Sequence, residues 1–532
     1  MSEPAQKLEQ EVRATIPCTD PATGDRLGEV PALTPDEVRE RIARARKAQV
    51  EWSQTPFAER RKVLARMLDM LLAQADSLCE EICRDAGKTL HNAMLGEIWP
   101  IAEKLRWTIK HGEKHLRRET VSSGLLAHKR AVIEYHPLGV IGVITPWNFP
   151  LQNIMGPTIP ALFAGNAVII KVSEWTSWSA APFQRCLDRC LKDCGYSPDL
   201  IQVITGYADT GAALVSGGVD KIVFTGSLGN GKRVIEGSAE TLTPVILELG
   251  GKDPMIVCDD ADLDQAAHAA CSAAFIASGQ MCLAAERTLV FDAVYDEFVA
   301  KVKDIGLRLR QGAPLSGKLV DVGAMTMPAQ VEIVEALVQD AISKGARVIA
   351  GGGRAKQKSS KQFFEPTILA EVTEDMRIMH EETFGPVMAI TRVKNEDEAI
   401  RIANSIDYGL SSSVFSKDHR RARRIADQIV AGSTCINDWA LMYMVQDLPF
   451  GGVKGSGFGR LNGGEGLRAC TNVKAVIEDR LPIHRAIELF PGRRYDYEVT
   501  REGVRLLYTK GLANKLDALV GFGRALRNRA MR

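Results

Sequence analysis

The sequence predicts an α/β protein. Two domains of similar size, each with a mostly parallel sheet covered by helices, follow a mainly helical first hundred residues. Three observations carry this. Gly139-Val-Ile-Gly-Val-Ile144 is a continuous run rich in β-branched residues, the pattern of a strand buried on both faces. From there strand-like and helix-like stretches alternate as far as Val245–Leu247, the rhythm of βα units. A second series of the same kind begins near Met255 and runs to Thr434–Ile436.

In order along the chain, residues 1–35 read as loop-rich, with Pro21-Ala-Thr-Gly24 as a turn. Thr34-Pro35-Asp36 is an N-cap with proline at the first helical position, and Val38, Ile42, Ala45 and Ala48 continue at helical spacing. A second helix is expected from Phe57 to Ala86, stopped by Gly87, and a third from Leu90 to Glu113 with a kink at Pro100. Lys129–His136 alternates as a half-exposed strand does. The first series then gives strands at Ala167–Lys171, Ile201–Ile204, Lys221–Phe224 and Val245–Leu247, with helices at Ala180–Cys194, Thr210–Val215 and Lys232–Ala239. The second gives helices at Leu263–Ser278, Asp296–Leu309, Ala329–Ser343, Asp397–Ala403 and Arg420–Ile429. Its strands are Thr288–Phe291, Arg347–Ile349, Val387–Arg392, Ser412–Phe415 and Thr434–Ile436, and residues 353–362 read as a solvated loop.

Formal charge is +1 and no domain carries a basic excess, so nucleic acid is not an expected partner. Eleven cysteines without CxxC pairs give neither a disulfide framework nor a zinc site, and no metal is expected. Such free thiols suit a reducing cytosol. Met1–Arg13 is polar and lacks the apolar core of a signal peptide, and no run approaches about 18 apolar residues. A cytoplasmic protein is expected.

Several short stretches carry chemistry. Cys282 ends an apolar helical run just past Gly279, where the chain must turn, so its thiol can face a cleft. Cys271, earlier on that run, reads as packing. Asn148 sits between two prolines in Pro146-Trp-Asn-Phe-Pro150, after the buried strand, where its amide could meet a developing oxyanion or simply form a turn. Lys171 and Glu174 end another strand and could grip ribose hydroxyls or form a surface ion pair. Gly226-Ser227-Leu-Gly229-Asn-Gly231 opens a helix and could bind phosphate through backbone N–H groups, although it is not the GxGxxG fingerprint. In Glu248-Leu249-Gly250-Gly251-Lys252, Glu248 could be a general base or an acid pairing at a strand end. Glu381-Glu382-Thr-Phe384 offers an acid and a stacking ring, or a plain helix-end loop. Pro449–Arg460 holds five glycines in twelve residues, an ordered irregular loop or a flexible linker.

Each stretch alone has a bland reading; their joint order does not. PWNFP, KVSE, FTGS, ELGGK, GQMC, EETFGP and PFGGVKGSGFGR resemble, in order, the NAD(P)-dependent aldehyde dehydrogenase superfamily over residues 15–482. The resemblance implies a Rossmann-like NAD domain (1–117 and 138–248), an α/β catalytic domain (249–455) and a small bridging β element (118–137 and 456–482). It implies oxidation of an aldehyde to a carboxylic acid. Cys282 would be the nucleophile, Asn148 and the Cys282 N–H would hold the oxyanion, and Glu248 would activate the water that hydrolyses a thioester. NAD is the implied cofactor. Lys171 and Glu174 would hold its adenosine ribose, Ser227 and Trp147 would lie near the pyrophosphate, and Leu249 and Gly250 would border the nicotinamide. Glu382 would contact the nicotinamide ribose with Phe384 beside it. A homodimer or homotetramer is implied through the bridging strands.

Two departures stand out. Many hydrolytic members carry Gly-Arg-Glu after the glycine-rich loop, and that Glu is often assigned to a proton relay; here Gly459-Arg460 is followed by Leu461. Residues 483–532 extend past the family's usual end. From Arg501 to Arg532 eight Lys or Arg face two acids, net +6, and Leu512, Leu516, Leu519 and Val520 form one helical stripe, followed by Phe522 and Leu526. A helix packed on its own subunit or a neighbour is the favoured reading, and a membrane-surface helix the alternative. Two other functions compete with hydrolytic dehydrogenation: a CoA-acylating semialdehyde dehydrogenase, whose members usually lack the acid at Glu248, and a catalytically silent scaffold. Phe149, Met281, Leu283, Trp439 and Phe450 suggest an apolar tunnel for a medium or long aliphatic, or an aromatic, aldehyde.

Overall fold

The β-branched run at 139–144 lies in the middle of a six-stranded sheet. A computed structural model describes residues 14–356, 359–480 and 489–531. Met1–Arg13, positions 357–358 of the expected loop and the start of the C-terminal extension at 483–488 lie outside the described residues. The sheet order is Gly457–Phe458, Val245–Leu249, Lys221–Gly226, Val140–Ile144, Ala167–Lys171, Ile201–Ile204, and all but the first strand run parallel. Val140, Ile141 and Val143 are buried, as a strand covered on both faces requires. The chain builds outward from Val140–Ile144 to Ile201–Ile204, then crosses back to Lys221–Gly226 on the other side. That reversal is a topological switch point, and such sheets bind ligands outside the carboxyl ends of the strands there.

The second series forms a seven-stranded sheet in the order Arg347–Ala350, Thr367–Ala370, Val387–Val393, Arg287–Phe291, Pro254–Val257, Ser413–Phe415, Cys435–Ile436. Only the edge strand Arg347–Ala350 is antiparallel. Met255 and Val257 join one apolar cluster and Ile256 joins another, so both faces are covered. A three-stranded sheet has the order Thr471–Asp479, Lys129–Pro137, Glu119–Val121. By packing, the chain divides into two compact units: the chain up to Glu119 with Ile133–Lys474, and Thr120–Val132 with Ala475–Arg532. In the second unit helices Asp496–Tyr508 and Leu512–Ala530 form a hairpin joined by an Arg505–Asp517 ion pair of 3.0 Å. No described helix is long and apolar enough to cross a membrane.

Several expected elements change. The first 35 residues are not merely loop: Thr15–Thr19 and Arg26–Pro31 pair antiparallel around the turn at Pro21–Gly24. The helix expected over 57–86 is two, Phe57–Ala73 and Ala75–Ala86, divided at Gln74. Gln74 accepts a hydrogen bond from the Cys186 thiol on a neighbouring helix, a tertiary contact with no local signal. Strand Thr367–Ala370 was not foreseen, because four residues are too few to show a period. The helix at Leu263 ends at Phe275, three residues early, because Ala277 and Ser278 turn left-handed. The helix expected from Leu90 is irregular just before Pro100, which lies in the first turn of Trp99–Leu116 after helical residues Leu90–Ala93. The chain reaches that start through a widened π turn, Met94–Ile98.

That turn carries Glu97, which is fully buried 2.9 Å from the buried Lys88 ammonium. Glu97 Oε2 accepts from the backbone N–H of Leu151 at 2.8 Å and Gln152 at 3.1 Å, two otherwise orphaned donors at the start of helix Pro150–Phe163. Lys88 Nζ also donates to the Asn148 carbonyl at 2.6 Å and sits 3.8 Å from the Phe149 ring centroid. One ion pair thus clamps the whole Trp147–Gln152 turn. Removing one member strands a buried charge, at about 3–5 kcal/mol. Glu97→Ala should therefore lower the denaturant midpoint clearly, while Lys88→Met with Glu97→Leu recovers much of the loss. An unchanged midpoint in the single variant would show that the clamp is not structural.

Candidate active site

The carboxyl ends of the central strands open into a cavity of about 890 Å³. All twelve residues singled out in the sequence line it: Trp147, Asn148, Lys171, Glu174, Gly226, Ser227, Glu248, Leu249, Gly250, Cys282, Glu382 and Phe384. So do the five expected tunnel residues, Phe149, Met281, Leu283, Trp439 and Phe450.

Cys282 reaches the cavity from a strained turn. Ala277 (φ 48°) and Ser278 (φ 59°) are left-handed, and Gly279 follows at φ 71°. A Cβ on Gly279 would stand 2.0 Å from the Gly385 carbonyl, so only glycine fits. Side-chain hydrogen bonds hold the strain: Asn92 accepts from the Ala277 N–H, Ser278 donates to the Gly323 carbonyl, and Gln280 accepts from the Thr326 N–H. On the facing segment a Cβ on Gly251 would press to 2.7 Å of the Cys282 carbonyl. The ELGGK strand end and the cysteine turn therefore meet backbone to backbone.

The Cys282 thiol and the Glu248 carboxylate lie close enough that each shifts the other's titration. Glu248 is 3% exposed, and its Oε1 has no partner among the described residues. Burial pushes Glu248 up to about 7, with the Cys282 thiol opposing. Burial and then the Glu248 charge push the Cys282 thiol well above its ordinary range. Cys282 is thus a thiol beside a carboxyl group poised near neutrality. Asn148 is buried at the same turn, its amide donating to the Gln280 carbonyl at 3.0 Å and its oxygen accepting from Asn153 at 3.2 Å.

Sequence reasoning missed Tyr443. Its hydroxyl accepts from Gln152, its ring packs edge-on to Phe450, and burial with the charges of Glu248 and Cys282 pushes the phenol up. The two hydrogen-bond partners lie 291 residues apart, and the segment around Tyr443 has no regular pattern, so no local signal marked it. Lys104, Trp99 and Pro100 from the helical N-terminal part also reach the cavity wall.

At the other end, Lys171 and Glu174 stand 3.8 Å apart where strand Ala167–Lys171 finishes. Ser227 caps helix Leu228–Ala239, whose first turn holds no acid. A Cβ on Gly229 in that turn would meet nothing within 4 Å, so the helix start is sterically open on that side. Trp147 meets Phe384 edge-on at 5.3 Å. Glu382 accepts from the Gly251 N–H at 3.1 Å, and burial with the nearby Glu286 charge raises it. The loop bearing Glu382 and Phe384 is fixed from beneath: Glu286 accepts from the N–H groups of Thr383 and Phe384 and pairs with Lys252 at 2.6 Å. An open helix N-terminus suits phosphate, and a Lys–Glu pair at a strand end suits ribose hydroxyls. These residues fit a dinucleotide. Leu461 lines the cavity where the glutamate of many hydrolytic members is missing, and nearby Glu465 is exposed outside it.

A model of the aldehyde dehydrogenase family matches residues 8–476. The chain is 37% identical over 486 residues to a 4,4'-diapolycopene aldehyde oxidase of Methylomonas sp, covering 91% of this chain and 89% of that protein. It is 36% identical to a succinate-semialdehyde dehydrogenase [NADP(+)] of Deinococcus radiodurans, covering 86% and 93%. A crystal structure of a Mycobacterium tuberculosis aldehyde dehydrogenase complexed with NAD+ superposes with a TM-score of 0.82 at 32% identity, covering 89% of this chain and 96% of that one. Motif order and sheet topology agree with these likenesses: the chain belongs to the aldehyde dehydrogenase family and is an oxidoreductase acting on aldehydes.

Proposed function

We propose that the protein oxidises an apolar aldehyde to its carboxylic acid, hydrolytically and with NAD. The observation that carries this is the buried Glu248 carboxylate, one oxygen of which has no partner among the described residues, set beside the Cys282 thiol in the wall of one cavity. Glu248 takes the thiol proton as Cys282 Sγ attacks the aldehyde carbon. The Asn148 amide and the Cys282 N–H stabilise the oxyanion of the thiohemiacetal. A bound nicotinamide, held by the residues above, supplies the hydride acceptor. The cysteine is left as a thioester. Glu248 then removes a proton from water as it attacks, the C–S bond breaks, the leaving thiolate takes the proton of the product acid to restore the thiol, and the carboxylate leaves. The presence of Glu248 favours water over CoA as the acyl acceptor.

Trp99, Phe149, Met281, Trp439, Met444 and Phe450 surround the aldehyde path and favour a medium or long aliphatic, or an aromatic, substrate. Glu174 accepts a ribose hydroxyl and repels a 2′-phosphate, which supports NAD over NADP. The exposed Val473 and Ile477 on edge strand Thr471–Asp479 support a homodimer or homotetramer, and a cytoplasmic setting suits the free thiols. In the C-terminal hairpin Ala518 and Ala525 are buried, while Leu512, Leu516, Leu519 and Val520 stay exposed beside a +6 charge. That pairing of apolar stripe and basic charge supports an anionic lipid surface as its partner.

Four measurements follow. Cys282→Ala should abolish both aldehyde oxidation and ester hydrolysis. Because Glu248 is raised, its basic form is gained as pH rises through about 7. The rate of the first NADH burst should rise across that interval, and Glu248→Gln should remove the limb and slow turnover at least ~100-fold; survival of the limb would assign the base elsewhere. Glu174→Gln should raise the NADP-to-NAD ratio of kcat/KM about tenfold, an effect of about 1.4 kcal/mol; no change would sink the assigned cofactor preference. Finally, the full chain should sediment with phosphatidylserine vesicles and a chain lacking residues 496–532 should not. Equal sedimentation of both would assign the hairpin to a neighbouring subunit instead.

A further inference from the structure

Lys104 differs from the other deeply buried lysines. Lys88 has Glu97 at 2.9 Å, Lys252 has Glu286 at 2.6 Å, and Lys171 has Glu174 at 3.8 Å. Lys104 is 4% exposed, yet among the described residues no carboxylate pairs with it. It projects from helix Trp99–Leu116 into the wall of the catalytic cavity. Its Nζ donates to Asn462 Oδ1 at 2.5 Å, leaving two of its three N–H donors without a protein partner among the described residues. Asn462 immediately follows Leu461 and donates to the Tyr443 carbonyl at 3.4 Å. The Tyr443 ring centroid lies 5.9 Å from Lys104 Nζ, and Tyr443 senses the charges of Glu248 and Cys282.

The chemistry requires a group in such a place. Aldehyde, water and NAD yield carboxylate and NADH with two protons released. One comes from the Cys282 thiol and one from the hydrolytic water, and both pass through Glu248. Glu248 is only 3% exposed, and Leu461 beside the same cavity carries no group that can accept its proton.

We propose that Lys104, acting through the Tyr443 hydroxyl and cavity water, receives the proton that Glu248 takes from the hydrolytic water. The proposal rests on the hydrolytic reading above. Lys104 is a positioning residue, since it touches neither substrate nor thioester. Burial lowers its ammonium to about 8, so a neutral amine is accessible near physiological pH. The titratable groups facing it are Tyr443 and Cys470, and Cys470 also faces Lys221.

The test is stopped-flow NADH formation with a long-chain aldehyde, across pH, in the full chain. Lys104→Met should keep a burst of one NADH per site, then turn over ~100-fold more slowly than the parent. It should also lose the rise of kcat through about pH 8. Lys104→Arg keeps the charge but holds its proton throughout this range, so it should be equally slow. Thermal melting and NAD binding check that both variants are folded. Parent-like turnover in Lys104→Arg would make the role electrostatic and overturn the proposal, even if the Met variant fails to fold. A rise in KM confined to carboxylate-bearing aldehydes, with burst and pH profile intact, would make Lys104 a substrate anchor and overturn it equally. Loss of the burst in the parent would refute the thioester reading itself.

Discussion

One buried ion pair governs the geometry of the site. Lys88 and Glu97 come from the helical N-terminal part, yet between them they hold the Asn148 carbonyl, the Phe149 ring and the first N–H groups of the following helix. An oxyanion donor is useful only if it is already in place when charge develops. Asn148 cannot relax, because its backbone is bonded to Lys88 and its amide spans to the cysteine turn at Gln280. Lys252 and Glu286 repeat the device beneath Glu382 and Phe384. Both pairs lie fully inside, and both carboxylates spend their remaining hydrogen-bond capacity on backbone N–H groups. For such pairs the gain is a fixed loop rather than raw stability.

The same burial sets the reactivity. Glu248, Asp253 and Glu382 share one poorly hydrated region, where desolvation raises all three. Burial first, and then the Glu248 charge that a Cys282 thiolate would face there, raise the thiol rather than lower it. The usual activated cysteine sits beside a cation. This one sits beside a base, so nucleophile formation is a proton transfer rather than a standing charge. That suits a cysteine that must wait for its aldehyde without reacting elsewhere. It also explains why the proton's exit matters more here than in a solvent-open site.

What the sequence made legible and what it hid divide along one physical line. Strands buried on both faces announced themselves as β-branched runs, and the residues at their carboxyl ends, Asn148, Lys171, Ser227 and Glu248, were readable as potential chemistry. These depend on local pattern. The division at Gln74, the π turn bearing Glu97 and the left-handed Ala277 and Ser278 depend on contacts made elsewhere in the fold. Tyr443 and Lys104 are harder still. Each meets its partner across some three hundred residues, Gln152 at a separation of 291 and Asn462 at 358. A lysine on an amphipathic helix reads as solvated until the partner surface is known.

The loss of a glutamate at Leu461 and the burial of Lys104 belong together. A carboxylate beside Lys104 would hold its proton through a direct ion pair and keep the ammonium charged well above neutral pH. With Leu461 in that stretch and only the neutral Asn462 as partner, the amine is left near the range in which it can both take and release a proton. Leu461 also adds an apolar wall to a cavity already lined by Trp439 and Phe450, which lowers the local dielectric further. On the proposed route Leu461 therefore adds apolar surface to the cavity, and the titrating group is a helix-borne amine rather than a loop carboxylate.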